Sequence, residues 1–235
     1  MKTSKDGIIF KVEQGVEFYV DNTVWTVPEV LIQPSEWVCF VPESGETSKD
    51  SFIELAKIFA TLSAPKSGRI VLFEKDIYKI SYDSLIEIRK KIGFVQSYGG
   101  LLSNRSLYEN IRFPLLVHTE RSYDEINIKI DYFMDILGLS PYKEHKPHQI
   151  DGRRRWQTCV ARALIFDPEW LVFEDIGDWS YKAGKGIVWS YLKDQIGSPM
   201  ALIVCLSQSN LLFEKWFSDL GGKIIRIFPR NNTIG

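Results

Sequence analysis

The sequence predicts an α/β protein with a mostly parallel core sheet, antiparallel strands at its N-terminus and an inserted helical segment. Short, wholly apolar strand patterns alternate with amphipathic helix patterns, which favours a parallel sheet covered by helices. These strand patterns lie at 37–41, 92–96, 170–174 and 201–207. In contrast, residues 97–150 contain helix patterns and no good strand pattern. We therefore expect one domain over residues 1–235, with a helical subdomain at roughly 97–150 inserted in the α/β core.

The first half of the chain predicts mainly strands. Runs of β-branched and aromatic residues between Gly, Pro and Asp-Asn breaks are typical of short strands. Such runs lie at 7–12, 16–20, 24–27 and 69–73. An amphipathic helix pattern begins near Ser51, and a turn lies at 65–68. A second helix is predicted over 83–91, with Asp83 as a candidate N-cap.

The second half alternates longer helix patterns with short buried strands. The apolar spacing is helical over 107–139, with an interruption at Pro114. Further helix patterns lie at 153–166 and 185–196, and a last strand pattern lies at 223–228. Helices between successive strands are the connections that parallel strands require.

The composition and the apolar runs exclude several classes of protein. The 235 residues include 29 Lys and Arg and 30 Asp and Glu, so the formal net charge is −1 and no nucleic-acid partner is expected. The N-terminal MKTSKDGIIF lacks the apolar run and cleavage site of a signal peptide. The longest apolar stretch, 200–206, is far shorter than the ~20 residues of a membrane span. The three cysteines lie far apart in apolar segments, which predicts buried thiols in a cytosolic chain rather than disulfides or metal ligands.

Three motifs occur in a characteristic order. The chain contains IGFVQ at 92–96, ARALIFDPEWLVFED at 161–175 and IVCLSQS at 203–209. This order resembles the ATPase subunits of ABC transporters across nearly the whole chain, with the Q-loop, the helix leading into Walker B and the switch-histidine loop at these places. Residues 96–126 look most like the ATPase of Mla/Mce-type lipid transporters, and are also similar to the ATPases of cell division and lipoprotein release. The resemblance implies an ABC-type nucleotide-binding domain, with a P-loop-like core and an inserted helical subdomain.

The segment VPESGETSKD at 41–50 lies where the family has its phosphate-binding loop, yet it departs from the family pattern. The family's loop surrounds phosphate oxygens with backbone N–H groups and adds a Lys. When the upstream strand sets the register, two glycines and the Lys are replaced by Pro42, Thr47 and Ser48. When the helix sets it, Lys49 keeps the charge, and two glycines and the Ser/Thr are replaced by Glu43, Ser48 and Asp50.

The second register is preferred, because the apolar positions after the Lys are then matched by Phe52, Ile53 and Leu55. The candidate nucleotide-binding residues are Ser44, Gly45, Ser48, Lys49, Asp50 and, in the Q-loop, Gln96. Three acids, Glu43, Glu46 and Asp50, then lie near one Lys. A carboxylate ~4 Å from a phosphate charge costs roughly 4 kcal/mol at an effective dielectric constant near 20. The resemblance implies ATP and Mg²⁺ as cofactors, whereas these acids argue against tight binding.

The candidate catalytic residues are Glu174, Asp175 and Gln208. The resemblance places the first acid in the magnesium shell and gives the second the task of positioning water, but the family's Asp-Glu order is reversed here. Glu174 has the reach to hold a metal through water, whereas Asp175 is one methylene shorter than the usual base. The alternative is that both acids only cap a buried strand. Gln208 replaces the switch histidine and cannot carry the charge of an imidazolium.

The ABC signature, which precedes the ARAL helix, is also altered. It aligns with Ile150, Asp151, Gly152, Arg153 and Arg154. Asp151 replaces the Ser whose hydroxyl meets the γ-phosphate bound on the opposite subunit, so its carboxylate would repel that phosphate. Arg153 and Arg154 could compensate, find acidic partners, or form a solvated charge run. The segment 177–186 lacks the Leu-Asp pair of the family's D-loop, and only Gln96 is intact.

These substitutions favour a degenerate, non-hydrolysing nucleotide-binding-domain subunit, and the resemblance implies that it belongs to an ABC transporter for lipids. The resemblance implies a second nucleotide-binding subunit, transmembrane permease subunits and an Mce-type lipid-binding protein as partners, at the cytoplasmic face of the inner membrane. The second subunit is expected to be a different chain, because a homodimer would contain two altered sites and no subunit that hydrolyses ATP. The alternatives are an atypical active ATPase that uses Lys49, Glu174 and Asp175, and a soluble ABC-like regulatory protein.

Overall fold

The computed structural model describes residues 9–20, 23–43, 49–97, 100–118, 122–176 and 186–230. The strands are β1 (Phe10–Val20), β2 (Thr23–Val27), β3 (Val30–Ile32), β4 (Trp37–Pro42), β5 (Ser67–Leu72), β6 (Lys75–Asp76), β7 (Ile92–Val95), β8 (Trp170–Phe173), β9 (Ala201–Cys205) and β10 (Lys223–Arg230). The helices are α1 (Lys49–Phe59), α2 (Tyr82–Arg89), α3 (Leu107–His118), α4 (Tyr123–Ile136), α5 (Gly152–Leu164), α6 (Ile187–Asp194) and α7 (Leu211–Asp219). Short 3₁₀ turns lie at Ser140–Tyr142 and Pro147–Gln149.

The strands form one mixed sheet in the order β6-β5-β1-β2-β10-β4-β9-β8-β7, with β3 paired to β1. The pairs β10–β4, β4–β9, β9–β8 and β8–β7 are parallel. The pairs among β1, β2, β3, β5 and β6 are antiparallel, and β10 pairs antiparallel with β2. The predicted parallel core and antiparallel N-terminal strands are both present, and β10 joins them.

The strand β1 merges two strands that the sequence predicts as separate. The Glu-Gln-Gly break is a bulge within one strand, where Gln14 and Gly15 adopt positive φ of 64° and 61° and the pairing with β5 shifts register. Gly68 of β5 packs directly on this bulge, because a Cβ there would lie 2.1 Å from the Gly15 carbonyl oxygen. The bulge therefore lets a long strand bend without ending.

The sheet separates two hydrophobic cores. Helix α1 covers one face, where Phe52, Leu55 and Phe59 pack with Phe10 and Trp170. Helices α3 to α7 contribute to the core on the other face. Strands β4, β8 and β9 are buried at every position because both faces of the sheet are covered there.

Three helices differ from expectation. Asp83 was predicted as the N-cap of α2, but the cap is Ser81, whose side chain accepts from the Ser84 N–H at 3.3 Å. Helix α3 runs through Pro114, because Ile111 and Leu115, both fully buried, anchor the helix on either side of it. Helix α7 lies where no helix was predicted, although Asn210 caps it by accepting from the Phe213 N–H at 3.0 Å.

The remaining sequence expectations concern cysteines and membrane spans. Cys39, Cys159 and Cys205 are all buried, as predicted. Within the described ranges, the helices are too short or too polar to cross a bilayer.

Candidate functional site

The carboxyl ends of four parallel strands meet at one edge of the sheet. They are the ends of β4 at Pro42, β7 at Val95, β8 at Phe173 and β9 at Cys205. Open α/β sheets bind ligands at this edge, where the loops that follow the strands converge. The segments that carry Gln96, the acid pair and Gln208 directly follow three of these ends.

Glu174 follows β8 and is only 5% exposed. Its Oε1 accepts a hydrogen bond from Ser97 Oγ at 3.0 Å, and its N–H donates to the Val95 carbonyl at 2.9 Å. Burial raises the pKa of the Glu174 carboxyl, while the Ser97 hydrogen bond and the charge of Lys57 oppose the rise. Burial therefore disfavours the charged form of this carboxyl.

Asp175 is also buried, but its hydrogen-bond partners differ from those of Glu174. Its Oδ2 accepts from Ser207 Oγ at 2.6 Å and its Oδ1 from the Ile176 N–H at 2.7 Å. Its φ of +88° lies in the left-handed region, which is unfavourable for a residue with a side chain. Each acid is thus bound by a serine from a neighbouring strand end: Ser97 next to Gln96, and Ser207 next to Gln208.

Gln96 is packed against the backbone that follows it. Gly100 has a φ of +75°, and a Cβ at this residue would lie 2.0 Å from Gln96 Oε1. The guanidinium of Arg162, on α5, donates to the Gly100 carbonyl. The segment that follows β7 is therefore connected to helix α5 by a hydrogen bond, whereas Gln208 is exposed.

Gly100→Ala is expected to lower the free energy of unfolding by about 1–2 kcal/mol, because a left-handed φ disfavours a side chain, and to displace Gln96. Urea titration measures the loss, and hydrogen exchange over 92–97 reports the displacement. Gly197→Ala is the matched control, since its φ of +87° is similar but nothing lies within 4 Å of its added Cβ. Equal exchange over 92–97 in both variants would contradict the packing of Gln96 on Gly100.

The signature segment has a structural role at the start of α5. Asp151 is the N-cap, because its Oδ1 accepts from the Arg154 N–H at 2.8 Å. Its other oxygen pairs with the Arg154 guanidinium, which lies 4.2 Å from the centroid of the Tyr142 ring. Of the two arginines weighed above, Arg154 has an acidic partner within its own segment, and Arg153 is exposed. The side chains of Asp151 and Arg154 thus stabilise the start of the helix.

The predicted phosphate loop lies only partly within the described residues. Ser44, Gly45 and Ser48 lie outside them, as does the predicted D-loop segment 177–185. Helix α1 begins at Lys49, and Asp50 is an exposed acid in its first turn, where a negative charge favours the helix.

Glu43, at the entrance to this loop, has a cationic neighbour. The Arg226 Nε lies 4.0 Å from Glu43 Oε2. The negative charge that the sequence predicts here is therefore partly offset within the chain. The sequence reasoning missed Arg226, although a charged residue in the apolar strand KIIRIF was a visible signal. It also missed Ser97 and Ser207, which adjoin Gln96 and Gln208.

The acid pair follows β8 at the sheet edge where β4 also ends, before the loop that leads into α1, and this is the arrangement of ligand sites in open α/β proteins. The dimeric bacterial ABC transporter cassette MJ0796 matches this structure with a TM-score of 0.71, at 20% identity over 94% of both chains. CbiO1 of Clostridium perfringens, part of the ABC transporter complex cbiONQ, matches with a TM-score of 0.67, at 21% identity over 89% of this chain and 82% of its own. The chain therefore has the ABC nucleotide-binding domain fold that the sequence predicts.

The curated relatives are ATP-binding proteins of transporters. The methionine import ATP-binding protein MetN 1 of Acinetobacter baylyi is 27% identical over 147 residues, which are 62% of this chain and 40% of the relative. The probable ribonucleotide transport ATP-binding protein mkl of Mycobacterium tuberculosis is 28% identical over 169 residues, which are 72% of this chain and 46% of the relative. The chain spans less than half the length of these relatives. No family model matches it.

Proposed function

We propose that this chain is a non-hydrolysing nucleotide-binding-domain subunit of an ABC transporter, which pairs with a different cassette chain and docks on a permease. The observation that carries the proposal is the state of the acid pair. Glu174 and Asp175 are both buried, and each is hydrogen-bonded to a serine of a neighbouring strand end. Through these hydrogen bonds, the acid pair connects the ends of β7, β8 and β9.

The residues of the site do not fit Mg-ATP in a catalytic arrangement. Magnesium binds deprotonated carboxylates, and the burial that raises the pKa of Glu174 opposes that form. Both oxygens of Asp175 already accept a hydrogen bond from the protein, which fixes the carboxylate against Ser207 and the Ile176 N–H. Asp50 takes the place of the hydroxyl that would bind the metal in the preferred register. We therefore assign no hydrolytic step to this chain.

The partners follow from the fold and from the transporter relatives. Solved cassettes with this fold include a dimer and a part of a transporter complex. We place the chain at the cytoplasmic face of the inner membrane, held there by the permease. The resemblance of residues 96–126 supports a lipid transporter with an Mce-type protein, although MetN 1 and mkl are named for other cargo.

The chain is expected to show no shift in melting temperature with millimolar Mg-ATP. A ligand at a hundred times its Kd would stabilise the chain by about 2.7 kcal/mol, which corresponds to roughly 5–10 °C at this size. A variant with Glu43→Gly, Ser48→Gly and Asp50→Ser, which restores the family residues in the preferred register, tests whether the loop can regain nucleotide binding. A clear shift in the wild type that Lys49→Ala abolishes would contradict the proposal and support the atypical ATPase.

The assembled transporter provides the second readout of this proposal. We expect a tagged chain, extracted from membranes in detergent, to carry a permease and a second cassette with intact motifs. ATP hydrolysis by that complex is expected to survive Lys49→Ala in this chain. Its loss would mean that this site takes part in hydrolysis, and recovery of the chain without a permease would favour a soluble regulatory role.

A further inference from the structure

Arg226, which lies close to Glu43 at the entrance to the predicted phosphate loop, belongs to a larger charged cluster. Arg226 is on β10, next to Val41 of the parallel strand β4. Its Nη1 donates to the Pro42 carbonyl at 3.3 Å, and its Nε lies 4.0 Å from Glu43 Oε2. The guanidinium therefore contacts the chain at the point where β4 ends and the phosphate-loop segment begins.

The same guanidinium binds a buried carboxylate on α7. Its Nη2 donates to Oε2 of Glu214, a residue that is only 5% exposed. The other carboxylate oxygen, Oε1, accepts from Ser209 Oγ at 2.7 Å and from the Asn210 N–H at 3.0 Å. Glu214 thus connects Arg226 to the two residues that directly follow Gln208.

We propose that Arg226 and Glu214 are positioning residues that hold the segment 207–210, and with it Gln208, at a fixed place relative to the end of β4. The contacts run from Pro42 through Arg226 and Glu214 to Ser209 and Asn210 without a gap. In the proposed function this segment is the switch loop, so the inference rests on that assignment. The chain itself makes the connection that joins the two loops, and no nucleotide is needed for it.

The burial of Glu214 makes this connection persistent. A carboxylate removed from water needs its partners, since an unpaired buried charge is costly. Glu214 accepts three hydrogen bonds, one of them from a guanidinium, and hydrogen bonds that involve charged groups are the stronger ones. The exposed Lys223–Glu36 ion pair at the opposite end of β10 lacks this burial. It offers a control on the same strand.

Hydrogen exchange of the intact chain without nucleotide tests the proposal. Arg226→Gln is expected to speed exchange of the Asn210 amide and its neighbours about tenfold or more, since the acceptor Glu214 loses its anchor. Exchange in β9, at 201–205, should stay unchanged. Arg226→Lys, which restores the charge but not the forked geometry, should recover part of the protection. Lys223→Gln should change neither segment.

Exchange over 207–210 within about twofold of the wild type in Arg226→Gln would overturn the proposal. Equally faster exchange over 201–205 in Arg226→Gln would also overturn the proposal, because the substitution would then destabilise the fold in general. If Arg226→Gln does not fold, Glu214→Gln decides by the same two criteria, because it removes the charge and keeps an acceptor. Repeating the wild-type measurement with Mg-ATP separates the two proposals. A change in the hydrogen exchange of the wild type on addition of Mg-ATP contradicts the proposed function. The hydrogen exchange of Arg226→Gln without nucleotide decides the positioning role.

Discussion

Trp170→Ala is expected to lower the free energy of unfolding by about 3–5 kcal/mol, the usual cost of removing a buried Trp side chain. Trp170 begins β8 and is fully buried. Its ring stacks on Phe10 with 4.7 Å between centroids, and its Nε1 donates to the Phe59 carbonyl at 3.3 Å. One side chain therefore joins β8 to β1 and to the end of α1, so its removal loosens three elements.

The loss is measured by urea titration and by the melting temperature, which should fall by roughly 6–20 °C for a chain of this size. Trp170→Phe should cost less, because it keeps a ring against Phe10 and loses only the indole N–H and some volume. Tyr82→Ala is the surface control, since Tyr82 is 70% exposed. A loss below ~1 kcal/mol in Trp170→Ala would mean that α1 and β1 are held mainly by other contacts.

The core strands could be predicted from the sequence because burial on both faces leaves no polar position in them. The strands β4, β8 and β9 are buried at every residue, so their apolar runs are unambiguous. The bulge in β1 could not be predicted, since Gln14-Gly15 is also the composition of a turn. Only the packing of Gly68 against Gly15 distinguishes a bend within a strand from a break between two strands.

Helix ends were harder to predict than helices. Around α2 the sequence SYDS contains three polar residues that can cap a helix, and local chemistry does not choose between Ser81 and Asp83. Helix α7 was missed although Asn210 is a good cap. Its first two residues, Leu211 and Leu212, are 75% and 68% exposed, so the apolar pattern there does not mark a buried face.

The sequence predicts where the acid pair lies in the sheet, but it does not predict which residues form hydrogen bonds with the two acids. Residues that follow parallel strands converge at one edge, so Glu174 and Gln96 could be placed together from their strand ends. The bonds from Ser97 and Ser207 depend on which strands are neighbours. Arg226 lies 184 residues from Pro42 along the chain, and the two meet only because β10 pairs with β4. Such contacts are set by topology, which a local pattern does not contain.

Glu174→Gln is expected to raise the free energy of unfolding by about 1–3 kcal/mol at pH 7.5, because it removes a buried charge and keeps the acceptor for Ser97. Burial holds the pKa of Glu174 above its ordinary value of 4.5, so the folded state binds this proton more tightly than the unfolded state does. The stability that Glu174 contributes is therefore complete below the unfolded pKa. It is lost as the pH rises through the higher folded pKa. The gain from Gln should accordingly shrink as the pH falls toward 4.5.

Urea titrations at several pH values measure this difference, with Ser97→Ala as the opposing variant. Ser97→Ala leaves Glu174 Oε1 without its hydroxyl donor, so it should destabilise the chain by about 1–3 kcal/mol, and most at neutral pH. A carboxylate that the folded protein stabilises in its charged form would behave in the opposite way, with a lowered pKa and a loss of stability on substitution by Gln. A destabilising Glu174→Gln whose cost grows with pH would therefore contradict the effect of burial on the pKa of Glu174.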